Sequence, residues 1–283
     1  MKILVTGGAG YIGSQIVKDL LSNNYEVVII DDLSNGNCIN KDAIFIKGDI
    51  TNKNDLKAAF KNGINLVIHC AAKKDVSESV ERPLEYYHIN VEGTRLLLET
   101  MKEFNVNNII FSSTAAMYND GVAKETDMPN PKNSYASSKL TAEDIIRYSG
   151  INHVIFRFFN VAGHDQAGVM LIQRIKSGEK ITIYGSDYET RDGTCIRDYI
   201  HVEDISNAHL KAIEWLKTNS TGLFNLGTNH GYTIKEICDK AKVDYIMGPR
   251  RESDVIISTA DNIKAKEILG WIPKKTLEDI LKD

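Results

Sequence analysis

Cysteine and proline are scarce in this 283-residue chain, and a strongly basic balance is missing. The four cysteines, Cys38, Cys70, Cys195 and Cys238, stand far apart and form no C-x-x-C pair. That spacing speaks against a disulfide frame or a zinc ribbon and predicts reduced thiols in a reducing compartment. The seven histidines make no i, i+4 pair on a predicted helix, so no metal is expected. Five prolines mark no linker, and there is no internal repeat or low-complexity stretch. No apolar run approaches the ~20 residues that span a bilayer. Lysine and arginine total 34 against 38 acids, a net charge of −4, which leaves no basic face for nucleic acid. Met1 enters the first strand-like run almost at once, so no secretory leader is expected and the cytoplasm is the expected location. Without a leader, the sequon Asn219-Ser220-Thr221 reads as chance.

What is present begins at the N-terminus. A strand-like run, Lys2 to Val5, leads into Thr6-Gly7-Gly8-Ala9-Gly10-Tyr11-Ile12-Gly13 and then a helix-like segment ending near Leu21. Gly7 or Gly8 permits a tight turn, Gly10 lets backbone approach a pyrophosphate, and Gly13 lets the helix pack closely. The helix N-terminus offers N–H groups and a positive dipole end to the anion. Asp31 closes a second apolar run, Val27 to Ile30. A carboxylate there accepts hydrogen bonds from ribose hydroxyls and repels a 2′-phosphate, which favours NAD over NADP.

Apolar runs then alternate with amphipathic stretches. Predicted strands are Glu26–Ile30, Ile44–Lys47, Leu66–His69, Asn108–Ser112 and His153–Phe158, with helices near Ser14–Leu21, Asp55–Lys61, Val91–Phe104 and Tyr135–Tyr148. Strands that are apolar throughout and separated by helices predict an α/β fold, a doubly wound parallel sheet of the Rossmann type. After Phe158 the alternation loosens, as expected for a smaller, partly interleaved α/β substrate-binding region. The expected division is 1–157, with a return segment at 195–228, and 158–283.

Tyr135-Ala136-Ser137-Ser138-Lys139 is the second chemical feature. Residues four apart share a helix face, so Lys139 and the phenol can act together. A phenol of pKa about 10 is a poor base at neutral pH. A neighbouring ammonium lowers that value by roughly 1–3 units, and the phenolate can then take a proton from a sugar hydroxyl. Tyr135 is the one tyrosine of twelve with lysine four positions on. The strand before it ends in Ser112-Ser113-Thr114, and Thr114 is the candidate substrate-facing hydroxyl.

At this point the chain resembles the extended short-chain dehydrogenase/reductase family and, within it, the 4-epimerases of UDP-glucose and UDP-galactose. The resemblance is carried by T-G-G-A-G-Y-I-G from Thr6, G-D-I from Gly48, H-C-A-A-K-K from His69, R-P-L-E-Y-Y from Arg82 and N-V-E-G-T from Asn90. It continues through F-S-S-T-A-A-M-Y from Phe111, Y-A-S-S-K from Tyr135, R-F-F-N from Arg157 and Y-G-S-D-Y-E-T-R-D-G-T from Tyr184. Further on come I-R-D-Y-I-H-V-E-D from Ile196, F-N-L-G from Phe224 and P-R-R-E-S-D from Pro249. It implies NAD-dependent C4 epimerisation of a UDP-hexose through a transient 4-keto sugar, with tightly held NAD and a homodimer. It implies that Tyr11 and Ile12, with Gly7, Gly10 and Gly13, meet the pyrophosphate, and that Asp31 and Asn35 meet the ribose. Asp49 and Ile50 would bracket adenine, with Lys74 and Asn90 also lining the cofactor. Tyr135 would be the base and acid, Thr114 would orient the 4-hydroxyl, and Lys139 would hold the nicotinamide ribose. Asn160, Arg197, Arg251 and Asp254 would grip the UDP part, and guanidinium forks suit a diphosphate independently of the resemblance.

The chain also departs from the family pattern. The segment between Asn160 and Ile181 lacks an Asn-Leu element used around uridine, and Asp32–Ala43 and Gly231–Gly248 look trimmed. Thr114 stands where serine is more usual, and Ser134 where proline often is. Sugar-nucleotide 4,6-dehydratases and UDP-glucuronate decarboxylases are the rivals on this fold. Both carry a carboxylate just after the Ser/Thr, whereas Thr114-Ala115-Ala116-Met117 has none. A non-catalytic NAD sensor would not need the Thr114, Tyr135 and Lys139 set. Ser258 falls where a larger tyrosine in some relatives walls off the sugar 2-position, so N-acetylhexosamines are further candidate substrates.

Overall fold

Short runs of aliphatic and β-branched residues form the main sheet because helices cover both of its faces. The computed structural model describes residues 1–164, 171–251 and 254–283. In chain order, β1 (Lys2–Thr6) leads into α1 (Tyr11–Ser22), β2 (Glu26–Asp31), β3 (Ile44–Lys47), α2 (Lys53–Phe60) and β4 (Leu66–His69). Two short helices, α3 (Val76–Glu81) and α4 (Pro83–Tyr86), run through a π-helical segment, Tyr87–Glu92, into α5 (Gly93–Glu103). Next come β5 (Asn108–Thr114), β6 (Gly121–Ala123), α6 (Ser134–Tyr148), β7 (Asn152–Phe158) and β8 (Asn160–Ala162). They are followed by α7 (Leu171–Lys176), β9 (Ile181–Tyr184), β10 (Ile196–His201), α8 (Val202–Trp215) and β11 (Thr221–Leu226). The chain closes with β12 (Gly231–Thr233), α9 (Ile234–Ala241), β13 (Tyr245–Gly248), β14 (Ile257–Ala260), α10 (Ile263–Leu269) and α11 (Leu277–Lys282).

Seven strands form one sheet in the order β3-β2-β1-β4-β5-β7-β11, and every pair from β3 to β5 is parallel. The order reverses between β1 and β4, where doubly wound sheets bind ligands beyond the strand carboxyl ends. Leu4, Val28, Val67, Ile109 and Ile155 line its core against Leu56, Leu97, Met101 and Ile146 of the covering helices. A second set of strands, β12-β10-β14-β6 with β8 beside β10, forms a separate sheet, and β9 pairs with β13. Its neighbouring core gathers Ile172, Ile181, Ile183, Ile237, Leu277 and Ile280.

The chain divides into two compact units: Met1–Met117, Pro131–Arg157 and Ser206–Phe224 make one, and Tyr118–Asn130, Phe158–Ile205 and Asn225–Asp283 make the other. The interleaving is deeper than the expected 1–157 with a return at 195–228. Residues 118–130 go to the second unit because β6 pairs with β14. Residues 195–205 do so because β10 pairs with β8, β12 and β14. The expected helix Val91–Phe104 is already helical from Tyr87, in π geometry. Of the stretch after Asn160 expected to lack a uridine-binding element, residues 165–170 lie outside the described residues, as do Glu252 and Ser253 of P-R-R-E-S-D. No helix among the described residues is long and apolar enough to cross a membrane.

Candidate active site

The turn after β1 is built around two missing side chains. Gly7 adopts φ 69°, a region that L side chains rarely enter, and a Cβ there would come within 2.7 Å of the Ala71 nitrogen. A Cβ at Gly13 would strike the Gly7 carbonyl oxygen, so α1 closes directly onto the turn. Gly10 is the N-cap residue of α1 and has no side chain with which to cap it. The first turn of α1 therefore faces the loop with its dipole end uncovered, as an anion site requires.

A cavity opens there, within the first unit. Its walls include Gly7, Gly10, Tyr11, Ile12, Gly13, Asp31, Asn35, Asp49, Ile50 and Lys74, all anticipated from the sequence. Asp31 is buried, and its carboxylate accepts the N–H groups of Ala9 at 2.9 Å and Leu33 at 2.8 Å. A carboxylate can accept about four bonds, so two remain for ribose hydroxyls. Asp49 Oδ1 is engaged with the N–H and hydroxyl of Thr51, at 2.7 and 2.8 Å. Sequence reasoning missed Ser34, Cys70, Ala71, Ala72 and Lys73 in the same walls. These residues follow β2 and β4, and the rule that ligands gather at strand carboxyl ends would have pointed to them.

Asn90 is 2% exposed, and its amide accepts the Lys73 N–H at 2.8 Å and donates to the Lys73 carbonyl and to Ser138 Oγ. Both of its N–H groups are thus engaged inside the protein. Beside it runs a chain of buried hydroxyls. Thr94 donates to the Asn90 carbonyl, so His69 Nε2 donates to Thr94 and His69 Nδ1 accepts from Thr6. Burial pushes His69 down to about 3, helped by the nearby Lys139 ammonium, and it stays neutral.

Asn133 caps α6 by accepting the Ala136 N–H at 2.8 Å, which sets Tyr135 in the first turn. The Thr114 hydroxyl, at the end of β5, neighbours the Tyr135 phenol and accepts the Ala116 N–H at 3.1 Å. The edge of the buried Tyr86 ring meets Tyr135 at 6.4 Å, and the Tyr86 hydroxyl donates to Glu78 at 2.9 Å. Lys139 is buried with its Nζ 4.1 Å above the Phe111 ring centroid. Burial holds that ammonium down to about 8, against the pull of Cys70 and Glu143. The phenol itself is pushed up by burial, with the neighbouring Thr114 hydroxyl opposing. Burial is the larger of these two effects on the phenol.

The second unit carries the other anticipated residues. Arg197 on β10 lies in register with Ser258 on β14, and its Nη2 is 4.0 Å from Asp254. Its Nη1 donates to the Ile196 carbonyl at 2.9 Å, which leaves part of the fork open. Asn160 sits beside β10 and donates to the Asp198 carbonyl at 3.1 Å. Arg251 lies over the Tyr184 ring at 3.5 Å and Arg250 over Tyr188 at 4.3 Å, cation–π contacts that sequence reasoning did not name. The histidine spacing also hid a cluster of His164, His201 and Asp283. His201 Nδ1 accepts the Glu203 N–H, so its proton sits on Nε2 and is donated to Asp283 at 2.5 Å. A ring engaged at both nitrogens offers a metal no lone pair, and the group is an imidazole–carboxylate pair.

The sheet, the glycine turn and the Thr114–Tyr135–Lys139 set define a dinucleotide-binding α/β protein equipped to move a proton. Residues 3–227 match the NAD dependent epimerase/dehydratase family, and the chain belongs to that family. It is 40% identical to the UDP-glucose 4-epimerase of Halalkalibacterium halodurans over 97% of this chain and 91% of that protein. A Stenotrophomonas UDP-glucose-4-epimerase solved with NAD and formylated UDP-arabinopyranose matches with a TM-score of 0.94 at 30% identity, covering 100% of this chain and 96% of that one. The UDP-Glc/GlcNAc 4-epimerase of Campylobacter jejuni matches at 0.88 and 36% identity, covering 99% and 97%.

Proposed function

We propose that this chain is an NAD-dependent isomerase that inverts C4 of a UDP-hexose, exchanging UDP-glucose and UDP-galactose. The observation that carries the reading is the Thr114 hydroxyl beside the Tyr135 phenol, with Lys139 one turn on, in the same unit as the glycine-lined cavity. Tyr11 and Ile12 hold the cofactor pyrophosphate through backbone N–H groups, Asp31 and Asn35 the ribose, and Asp49 and Ile50 the adenine, with Lys74 and Asn90 also lining the cofactor. Bound there, NAD supplies a hydride acceptor that serves as donor later in the same turnover. Tyr135 takes the proton of the sugar 4-hydroxyl and later returns it, and Thr114 orients that hydroxyl. The Lys139 cation favours the phenolate and holds the nicotinamide ribose. Arg197 and Arg251 pair with the diphosphate, and Asn160 and Asp254 with the rest of the UDP group.

Ser258 has a small side chain in register with Arg197, which supports acceptance of N-acetylhexosamines beside the plain sugars. Ser258→Tyr is expected to abolish the N-acetyl activity alone, and equal turnover of both sugar types in the variant would refute the assignment. Assembly as a homodimer through α5 and α6 completes the reading, with sedimentation as its check. Four free cysteines are in keeping with a cytoplasmic setting. The function is tested by denaturing the purified chain, measuring released NAD, and assaying UDP-galactose conversion on the same preparation. Protein that holds no dinucleotide and converts no UDP-galactose would sink it.

A further inference from the structure

Helix α6 presents Tyr135, Lys139 and Glu143 in steps of four, on one face. Glu143 has no part in the reaction described so far, yet it is completely buried. Its Oε1 accepts from Ser113 Oγ at 2.6 Å and from Arg157 Nε at 2.9 Å. Its Oε2 accepts from Nη2 of Arg157 and Nη2 of Arg147, both at 2.7 Å. All four acceptor positions of the carboxylate are filled. A buried ion pair of this kind adds little net stability over an apolar replacement, so fold stability alone does not explain it.

Two neighbours give it a purpose. Ser113 directly precedes Thr114, so the Ser113–Glu143 bond ties the end of β5 to the helix that carries Tyr135. Lys139 lies one turn before Glu143, and its surroundings are well defined. Glu143 acts on it from its own helix, His69 and Cys70 neighbour it from the end of β4, and it lies over the Phe111 ring of β5. His69 is neutral, and burial pushes the Cys70 thiol up to about 11. Of these groups, Glu143, held by Arg157 and Arg147, is the one carboxylate.

We propose that Glu143 is a positioning residue: its carboxylate, fixed by Arg157 and Ser113, keeps the Lys139 ammonium charged and locks α6 to β5 so that Tyr135 and Thr114 stay side by side. The role rests on the reading of Tyr135 and Lys139 given above.

Nitrogen NMR of lysine-labelled protein, with Lys139→Met to assign the signal, reads the Lys139 titration directly and needs no turnover. In Glu143→Gln the titration is expected to move down by about one pH unit, and the alkaline limb of kcat to move with it while NAD content is retained. Arg147→Gln removes a half-exposed cation from the same carboxylate and is expected to shift both readouts upward, by less. Opposite shifts are a signature that a purely structural role would not produce. Should Glu143→Gln fail to fold, the upward shift in Arg147→Gln carries the test alone. A Lys139 titration unmoved in the folded variants overturns the proposal. An inactive wild-type protein whose Lys139 still shifts overturns the functional reading instead.

Discussion

Burial works on Tyr135 and Lys139 in the same direction, toward their uncharged forms, although the reaction needs a charge on one or the other. Lys139, held down to about 8, is an ammonium below that pH and a free amine above it. Activity that depends on the ammonium is therefore expected to fall by about tenfold per unit once pH rises through about 8, read as kcat against pH. The same displacement acts on stability with the opposite sign. Between its folded value and the unfolded value near 10.5, the unfolded chain binds more protons at this site, so this group's contribution to stability rises with pH. Replacing Tyr135 by Phe keeps the ring against Tyr86 and removes only the proton-transfer group. Turnover is expected to drop by about 10²- to 10⁴-fold with dinucleotide content unchanged. Substantial residual turnover would place the base elsewhere.

At the scale of elements, the sequence exposed what is periodic or conformationally forced. The strands β1 to β5 and β7 were readable within a residue or two because they are apolar on both faces and bounded by turns. The glycine turn was readable because Gly7 and Gly13 stand where a side chain cannot. Other features carry no local pattern. The π-helical segment Tyr87–Glu92 uses ordinary helix formers, and β6, β8 and β12 have three residues each, too few for a period to show. The site was legible where motif and spacing coincide, as at Tyr135 and Lys139. It was not legible at Lys73, Glu143 or Arg157, whose partners are set by tertiary contact. Nor was it legible that the Asn90 amide holds the Lys73 backbone and Ser138. Gly13→Ala tests the turn as a unit, because the added methyl group meets backbone that cannot swing aside. Overpacking is expected to lower stability by about 1–3 kcal/mol and to deplete bound NAD, measured by thermal unfolding and by nucleotide released on denaturation. Full NAD occupancy in that variant would show that α1 can sit further from the turn.

At the scale of the whole molecule, the chain passes between its two units five times, so neither unit is one continuous stretch. The segment Ser206–Phe224 belongs with the large sheet, and β11 lies at its edge beside β7. Phe224 meets the Phe156 ring at 6.2 Å and the Trp215 ring at 5.9 Å, and His209 meets Phe156 at 5.1 Å. Ile213, Leu216 and Phe224 are buried there, and together they represent about 5–9 kcal/mol of apolar burial. A domain's whole stability is about 5–15 kcal/mol, so losing this segment removes a comparable amount. It would also leave β7 as an open edge with unpaired backbone groups and a bare apolar face. A fragment of residues 1–157, the boundary that sequence alone suggested, contains the glycine turn, Asp31, Thr114, Tyr135 and Lys139. It is nevertheless expected to unfold without a cooperative transition, to aggregate, and to retain no dinucleotide, whereas the full chain holds NAD and melts cooperatively. Scanning calorimetry and nucleotide analysis of both proteins decide the matter. A sharp transition with stoichiometric NAD in the fragment would mean that the dinucleotide half folds independently of the returning segment.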